Sequence, residues 1–175
     1  MVREMLQSEA VKAALETMCE SIHNDLGQGF VLIGIMTGGK YVAEYLHQLF
    51  QSRYGFSPSI GHIDITLYRD DLYTGLERPA LGASHVDFAI EGKQVLLVDD
   101  VLFTGRTVVA AFQQLADLGR PKVLRLAVLI DRGHREFPIT ADYIGFHMKT
   151  SKKDKIELVV HDHCPDHIIH HIEAE

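Results

Sequence analysis

The sequence predicts an α/β protein whose central, mostly parallel sheet is flanked by helices. Unbroken apolar runs at 30–35, 95–98 and 123–130 are typical of strands that are covered on both faces. Between these runs lie segments in which apolar residues recur every three or four positions, as they do along one face of a helix. Strands that alternate with helices in this way favour a parallel sheet with helices on both sides.

The first half of the chain is predicted to contain two helices and two strands. Apolar residues at helical spacing predict a helix over 4–26, with a break near Ser8, which is a plausible N-cap. The apolar run at 30–35 predicts a buried strand, and a second helical pattern follows over 41–50. Alternation of apolar and polar residues at 60–67 predicts a further strand.

The second half of the chain begins with a long segment of little periodicity. It covers about twenty residues after Leu67, and a loop of that length is usually functional or mobile. The predicted elements that follow are a strand at 95–98, a helix at 107–118 and strands at 123–130, 141–147 and 156–160.

The composition is that of an ordinary globular protein. The chain has 175 residues, 46% of them apolar and 23% charged, and we expect a single domain over 1–175. No apolar run approaches the roughly 20 residues needed to cross a bilayer, so we expect no membrane partner. Two cysteines are too few for a disulfide framework, which favours a reducing, cytoplasmic location. The net charge of −7 argues against strong nonspecific binding to nucleic acid.

Candidate functional residues follow the strand at 95–98. Asp99 and Asp100 end the apolar run, and a small-residue turn at 104–107 leads into the next helix. Ligands of open α/β sheets bind beyond the carboxyl ends of the strands. Backbone N–H groups at a helix N-terminus bind phosphate, while paired carboxylates suit sugar hydroxyls or a divalent cation. The pattern therefore predicts a pocket for a phosphorylated sugar. In the alternative the acids only cap the helix, but capping needs one acid and not this whole pattern.

A second glycine-rich turn, at 37–39, follows the first apolar run and is a second candidate anion site. Gly34, Gly39 and Lys40 come close to the spacing of a Walker A motif. Tyr41, however, stands where that motif needs a Ser or Thr to reach magnesium, which argues against a nucleotide-hydrolysing loop.

The central pattern, Asp-Asp-x-x-x-Thr-Gly-x-Thr after an apolar strand, resembles the phosphoribosyl diphosphate (PRPP) binding motif of the type I phosphoribosyltransferases. The resemblance implies the type I phosphoribosyltransferase fold, with a flexible hood loop in the long segment after Leu67. It implies that the paired acids hold the ribose hydroxyls, that the Thr/Gly loop holds the 5′-phosphate, and that the earlier turn binds pyrophosphate. The PRPP-binding residues so implied are Thr37, Gly38, Gly39, Asp99, Asp100, Thr104, Gly105, Arg106 and Thr107.

Three longer segments narrow the resemblance. Residues 64–71, 98–107 and 131–139 are similar to the PyrR family, which couples uracil phosphoribosyltransferase activity with RNA-binding control of the pyrimidine operon. The implied reaction transfers ribose 5-phosphate from PRPP to uracil with Mg²⁺, which releases pyrophosphate and gives UMP. The implied catalytic residues are Asp99, Asp100 and Arg69 of the hood loop; Asp131 would reach Mg²⁺ through water, and Arg132, Gly133 and His134 would face the base.

Four positions depart from the patterns of these families. Phe103 stands where purine enzymes carry an acid, and its side chain has no proton to exchange, which favours a pyrimidine base. Gly38 stands where PyrR members have Arg, so we expect weaker PRPP binding. Thr140 and Phe146 stand where RNA-binding members have basic residues, which argues against RNA as a partner. A purine phosphoribosyltransferase, and a regulator that binds PRPP or UMP without turnover, remain as alternatives.

The segment 161–171 holds five of the eleven histidines. Its His, Cys and Asp side chains are potential ligands of a transition metal, and His167 and His171 would share one face of a helix. The spacing matches no established zinc pattern, and Pro165 interrupts it. We therefore assign no metal here and expect an exposed tail end or a contact between copies of a homo-oligomer.

Overall fold

The computed structural model describes residues 2–66 and 84–171. Arg69, and nearly all of the segment predicted to form the hood loop, lie outside these residues. None of the described helices is long and apolar enough to cross a bilayer. In chain order the elements are β1 (Val2–Leu6), α1 (Ser8–Leu26), β2 (Phe30–Ile35), α2 (Gly38–Tyr54), β3 (Ile60–Ile63), β4 (Gln94–Leu102), α3 (Arg106–Leu118), β5 (Val123–Asp131), β6 (Tyr143–His147), β7 (Lys155–His161) and β8 (Cys164–His171).

Five strands form a parallel sheet in the order β3-β2-β4-β5-β6. Its central strands are apolar because both faces are covered, and all six residues of β2 are buried. Helices α1 and α2 pack on one face and α3 on the other, so each face has its own apolar core. The carboxyl ends of all five strands meet at one edge. The predicted α/β fold with a parallel sheet is confirmed.

Helix α1 begins at Ser8, and not at residue 4 as the apolar spacing predicts. Its buried face includes Leu15 and Ile22, which lie two turns apart. The N-cap position is Gln7, so the predicted cap at Ser8 is one residue off. Residues before it form strand β1, because β8 supplies an antiparallel partner from the other end of the sequence. Local spacing does not reveal a partner that distant.

A second, three-stranded antiparallel sheet has the order β1-β8-β7 and packs beside α1 and α2. Strand β8 lies in its centre, and Ile168 is fully buried in the core on the α1 side. The expectation of an exposed tail end is therefore wrong. His167 and His171 lie on a strand, so the predicted helix face is also wrong.

Strand β4 is longer than the sequence predicts. It continues to Leu102, because Asp99 still pairs with Val128 of β5 in the parallel ladder. The prediction ended the strand at Val98 because the side chains change there from apolar to acidic. Backbone pairing between strands does not depend on the polarity of the side chains, so the strand continues. Strands β3 and β6 are shorter than predicted, at four and five residues.

Candidate active site

Three segments meet at the edge where β2, β4 and β5 end, because these strands are neighbours in the sheet. They are the Gly38 loop (37–39) after β2, the Thr104 loop (104–107) after β4 and the Arg135 segment (131–139) from the end of β5. A cavity of about 370 Å³ lies between Asp99, the Thr104 loop and Glu136. The fold thus brings both predicted anion sites close to the paired acids.

The Thr104 loop presents the N-terminus of α3 to this cavity. Gly105 has a φ of +91°, which residues with a side chain rarely adopt, and a Cβ there would lie 3.1 Å from Cγ1 of Ile139. The carbonyl oxygen of Thr104 accepts hydrogen bonds from the N–H groups of Glu136 and Phe137, at 2.9 and 3.0 Å. These bonds fix the loop against the Arg135 segment. The first residues of α3 line the cavity, as an anion site at a helix N-terminus requires.

Asp99 and Asp100 are adjacent near the end of β4. Asp99 is buried, and its Oδ1 accepts a hydrogen bond from the Asp100 N–H at 3.0 Å. Asp100 is half-buried, and its Oδ1 accepts one from the Val101 N–H at 3.0 Å. Successive side chains of a strand point to opposite faces, so the two carboxylates flank the strand. The N-cap of α3 is Gly105, and the acids therefore do not cap this helix.

The Gly38 loop packs directly against β4. A Cβ at Gly38 would collide with the carboxylate of Asp100, and one at Gly39 would collide with the carbonyl oxygen of Val98. Only glycine allows so close an approach. Because Gly38 is the first residue of α2, a second helix N-terminus lies beside the acids.

The residues after the Gly38 loop turn away to other partners. Nζ of Lys40 lies 3.8 Å from Oε1 of Glu44, one turn further along α2. The ring of Tyr41 lies 6.0 Å from the ring of His163 in the turn between β7 and β8. Lys40 is thus paired within its own helix, and Tyr41 packs against the small sheet.

Asp131 and Arg135 form an ion pair that the sequence prediction did not single out. Oδ2 of Asp131 accepts from Arg135 at 2.6 Å, and its Oδ1 accepts from the Gly133 N–H at 2.9 Å. Burial raises the pKa of Asp131, but these hydrogen bonds outweigh it, so the pKa lies below its ordinary value. The guanidinium also donates to the carbonyl oxygens of Phe103, at 2.7 Å, and Ile139, at 2.9 Å. Arg135 therefore ties the end of β5 to the Thr104 loop.

The ring of Phe103 contacts two side chains of the Arg135 segment, those of Arg132 and His134. The guanidinium of Arg132, which is 6% exposed, lies 4.1 Å from the centroid of the Phe103 ring. Arg132 is held by hydrogen bonds to the hydroxyl of Thr150, at 3.0 Å, and the carbonyl oxygen of Ser151, at 2.7 Å. The ring of His134 meets Phe103 edge-on at 5.8 Å. Burial lowers the pKa of Arg132, although Asp154 opposes that effect.

The Arg106 side chain is held against the Arg135 segment. Its Nε donates to Oε2 of Glu136 at 3.0 Å, and its guanidinium lies over the ring of Phe137 at 5.0 Å. A phosphate contact at this position would therefore come first from the backbone amide, as for the other residues of the loop.

Comparison with known proteins identifies the family. The model of the phosphoribosyl transferase domain matches residues 1–162. A protein from Enterococcus faecalis described as "Bifunctional protein pyrR" is 47% identical over 156 residues, which cover 88% of this chain and 87% of that protein. A PyrR protein from Listeria monocytogenes is 45% identical over 172 residues, which cover 94% of each chain. The chain belongs to the PyrR family of phosphoribosyltransferases. The predicted family and the predicted transferase activity are thereby confirmed.

Solved structures support the fold of this PyrR-family chain. A hypoxanthine phosphoribosyltransferase from Staphylococcus aureus has a TM-score of 0.68 at 21% identity, covering 87% of this chain and 80% of that one. A hypoxanthine-guanine phosphoribosyltransferase from Bacillus anthracis has a TM-score of 0.65 at 20% identity, covering 85% of this chain and 84% of that one. The type I phosphoribosyltransferase fold is confirmed, and identities this low carry no argument about the base.

Most of the residues that the sequence analysis names as candidate PRPP- or base-binding residues lie close together in the structure. The two loops and the acids share one edge of the sheet, and the residues predicted to face the base follow the neighbouring strand. The sequence prediction missed Arg135, Glu136 and residues 148–151, which hold the site from outside the PRPP motif. Arg135 lies in the segment 131–139 that is similar to the PyrR family, four residues after Asp131. An acid and a base at that spacing are the sequence signal that could have identified the ion pair.

Proposed function

We propose that this protein transfers the ribose 5-phosphate of PRPP to uracil, which gives UMP and pyrophosphate. The observation that carries the proposal is that two helix N-termini, those of α2 and α3, both lie beside Asp99 and Asp100. PRPP has one phosphate at the 5′ position and a diphosphate at the anomeric carbon, with a pentose between them. Two anion sites close to a pair of carboxylates suit that combination of charge and hydroxyls.

The acids and the Thr104 loop would hold the sugar and its 5′-phosphate. Backbone amides of Gly105, Arg106 and Thr107 would bind the phosphate at the N-terminus of α3. Asp99 and Asp100 would accept hydrogen bonds from the ribose hydroxyls. As the bond to pyrophosphate breaks, positive charge builds on the ring, and two adjacent carboxylates stabilise that charge.

Pyrophosphate would leave towards the Gly38 loop. The glycines let the backbone approach the acids closely, and the first amides of α2 face an anion with favourable polarity. Arg69 would add a positive charge to the leaving group when its loop closes over the site. Closure would also exclude water, which otherwise competes with the base for the electrophilic carbon.

The residues present fit Mg²⁺ as a cofactor. This ion prefers oxygen ligands and usually combines one or two carboxylates with substrate phosphates and water. Asp100 offers a half-buried carboxylate beside the Gly38 loop, where the phosphates of the leaving group would lie. Asp131 already accepts from Gly133 and Arg135, so its contact with Mg²⁺ would run through a water. When bound, Mg²⁺ would neutralise charge on pyrophosphate.

The base would lie against Phe103 and the backbone of Arg132, Gly133 and His134. The Arg132 guanidinium and the His134 ring both contact the ring of Phe103 and help to fix its position. Phe103 cannot exchange a proton with the imidazole nitrogen of a purine, which supports uracil over hypoxanthine or guanine.

The test is pyrophosphate release from PRPP with uracil, hypoxanthine, guanine and orotate in parallel. We expect release with uracil, and loss of about 10²–10³-fold in turnover for Asp99→Asn and Asp100→Asn. Asp87→Asn is the matched control, since its side chain is 74% exposed. Release with a purine alone would favour the purine enzyme. Tight binding of PRPP without release from any base would favour a regulator that lacks turnover.

We propose that RNA binding, the family's second property, is weak in this chain. Thr140 is exposed and Phe146 half-buried at positions where basic residues would neutralise phosphates, and the net charge is −7. The relatives are described as bifunctional, so weak RNA binding would distinguish this chain from them. Filter binding with the leader RNA of the pyrimidine operon at moderate salt should give no submicromolar affinity, and such affinity would contradict the proposal.

A further inference from the structure

A side-chain cluster on the small sheet lies outside the site described above. One ring nitrogen each of His161 and His167 and one carboxylate oxygen of Asp166 lie within 4.8 Å of one another. Nδ1 of His167 is 2.7 Å from Oδ2 of Asp166, and Nε2 of His161 is 3.8 Å from the same oxygen. The two imidazole rings are 5.9 Å apart and inclined by 30°.

A β-bulge brings these side chains together. Val159 pairs with His167 and Val160 pairs with Pro165, so Asp166 is an extra residue on β8. In a regular strand, adjacent side chains point to opposite faces. Here Pro165 and Ile168 of β8 are buried, three positions apart, while the side chains of both residues between them are only partly buried. The bulge therefore places Asp166 and His167 on one face, where they contact each other.

His161 completes the cluster from the neighbouring strand. It is the last residue of β7, and the turn that follows has Asp162 at φ +49° and His163 at φ +62°. Positive φ at both central residues is typical of a tight two-residue hairpin, which fixes the end of β7 against the start of β8. The side chain of His161 is 69% exposed, so it is free to change rotamer at little cost.

Helix α1 also contacts the cluster. The Ser8 side chain, at the start of α1, makes a hydrogen bond to Asp166. The side chains of Asp166 and His167 are about a quarter exposed, at 27% and 23%. Two of the three groups are therefore partly fixed, and the third can approach them from solvent.

We propose that His161, Asp166 and His167 bind one Zn²⁺ or a similar late transition-metal ion. Two imidazoles and one carboxylate form a ligand set that zinc accepts, with water in the fourth position. Ligand atoms around a tetrahedral zinc lie about 3.3 Å apart. The exposed His161 would therefore have to move closer to Asp166, from 3.8 Å, and the 2.7 Å hydrogen bond between His167 and Asp166 would have to lengthen as the metal replaces its proton. Mg²⁺, which prefers an all-oxygen shell, does not suit this set.

The test is a calorimetric titration of the full chain, without an affinity tag, with Zn²⁺ alone in a non-chelating buffer. Excess Mg²⁺ is present throughout, so that carboxylates at the edge of the large sheet do not contribute. We expect one saturable equivalent of Zn²⁺. His161→Gln and His167→Gln should each weaken the affinity by about 10- to 100-fold.

His85→Gln is the matched control, because His85 also contacts a carboxylate, that of Asp87 at 2.7 Å, but belongs to no group of three potential ligands among residues 2–66 and 84–171. It should bind Zn²⁺ as the unmodified chain does. Zn²⁺ should also raise the unfolding temperature of the unmodified chain and not that of His161→Gln. Because His161 is exposed, that variant keeps the metal-free stability, and the test does not depend on His167→Gln folding. Equal affinity in the His161→Gln and His85→Gln variants would overturn the proposal.

Discussion

At the scale of single residues, the site depends on contacts that a side-chain exchange would alter in a defined way. Gly38 matters for the atoms it lacks, since the Asp100 carboxylate occupies the space of its Cβ. Phe103 matters for its ring, which the Arg132 guanidinium covers at 4.1 Å. The sequence marks both positions as departures from related enzymes, but it does not show what either residue touches.

Gly38→Ala should lower turnover and raise the KM for PRPP, because the new methyl group displaces the Asp100 carboxylate. We expect an effect of about tenfold or more, in line with the loss of a positioned catalytic group. Steady-state kinetics with uracil provide the measurement. Gly29→Ala is the control, since its Cβ would meet only the Gln94 side chain, at 3.6 Å. Unchanged kinetics in Gly38→Ala would show that Asp100 has no fixed role.

The resemblance to the PyrR family also predicts that PRPP binding is weaker because Gly38 replaces an Arg. The structure adds a condition, because any side chain at Gly38 first has to move Asp100. Gly38→Arg should therefore tighten PRPP binding relative to Gly38→Ala, which shares the displacement but lacks the charge. Affinities measured for both variants separate the two effects. Equal affinities would mean that the charge is irrelevant.

Phe103→Leu should raise the KM for uracil and leave the KM for PRPP unchanged. Leucine keeps much of the apolar volume but lacks the flat ring against which the base would lie, and it also loses the contact with Arg132 that positions the ring. We therefore expect the KM for uracil to rise severalfold. Kinetics with each substrate varied in turn give the answer. If both KM values rise together, Phe103 supports the Thr104 loop and does not contact the base.

At the scale of elements, apolar periodicity predicted the parts of the fold that are held by local pattern. The buried strands and the two helices that follow them lie close to their predicted positions. Predictions failed where the partner is remote in sequence: β1 is a strand because of β8, and β8 is ordered because of β1 and β7. For the same reason the hydrogen bond from Arg135 to the carbonyl oxygen of Phe103, which ties the segment after β5 to the Thr104 loop, was not foreseen.

Ile168→Ala should destabilise the protein by about 2–5 kcal/mol, since a fully buried side chain in the core is truncated. Chemical denaturation measures the change. Leu118→Ala, at an apolar residue that is 45% exposed, is the control and should cost little. If Ile168→Ala is equally mild, the small sheet does not contribute to the core as described.

Asp131→Asn should lower the free energy of unfolding by about 1–3 kcal/mol near neutral pH, since hydrogen bonds to a charged carboxylate are lost. The folded-state pKa of Asp131 lies below its ordinary value. Its contribution is therefore complete above that ordinary value, and it is lost as pH falls through the lower folded pKa. Unfolding free energies between pH 3 and 7 should show the two curves converge at acid pH. A gap that widens on acidification would contradict this role.

At the scale of the whole molecule, charge and topology together define what the protein can bind. A parallel sheet gathers the ends of β2, β4 and β5 at one edge, and two helix N-termini lie close to the acids there. The sequence singles out these residues because the segment that resembles the PRPP motif is continuous along the chain. It does not predict that His161, Asp166 and His167 lie together, because a bulge in β8 sets their geometry. We also propose a homo-oligomer, which light scattering of the purified chain would test.

The central claim is that Asp99, Asp100 and the Thr104 loop bind PRPP. A crystal structure with PRPP and Mg²⁺ tests it most directly. The 5′-phosphate should lie on the amides at the start of α3, the ribose hydroxyls on the two carboxylates, and the diphosphate beside the Gly38 loop. Electron density for PRPP at any other place on the chain would contradict the account.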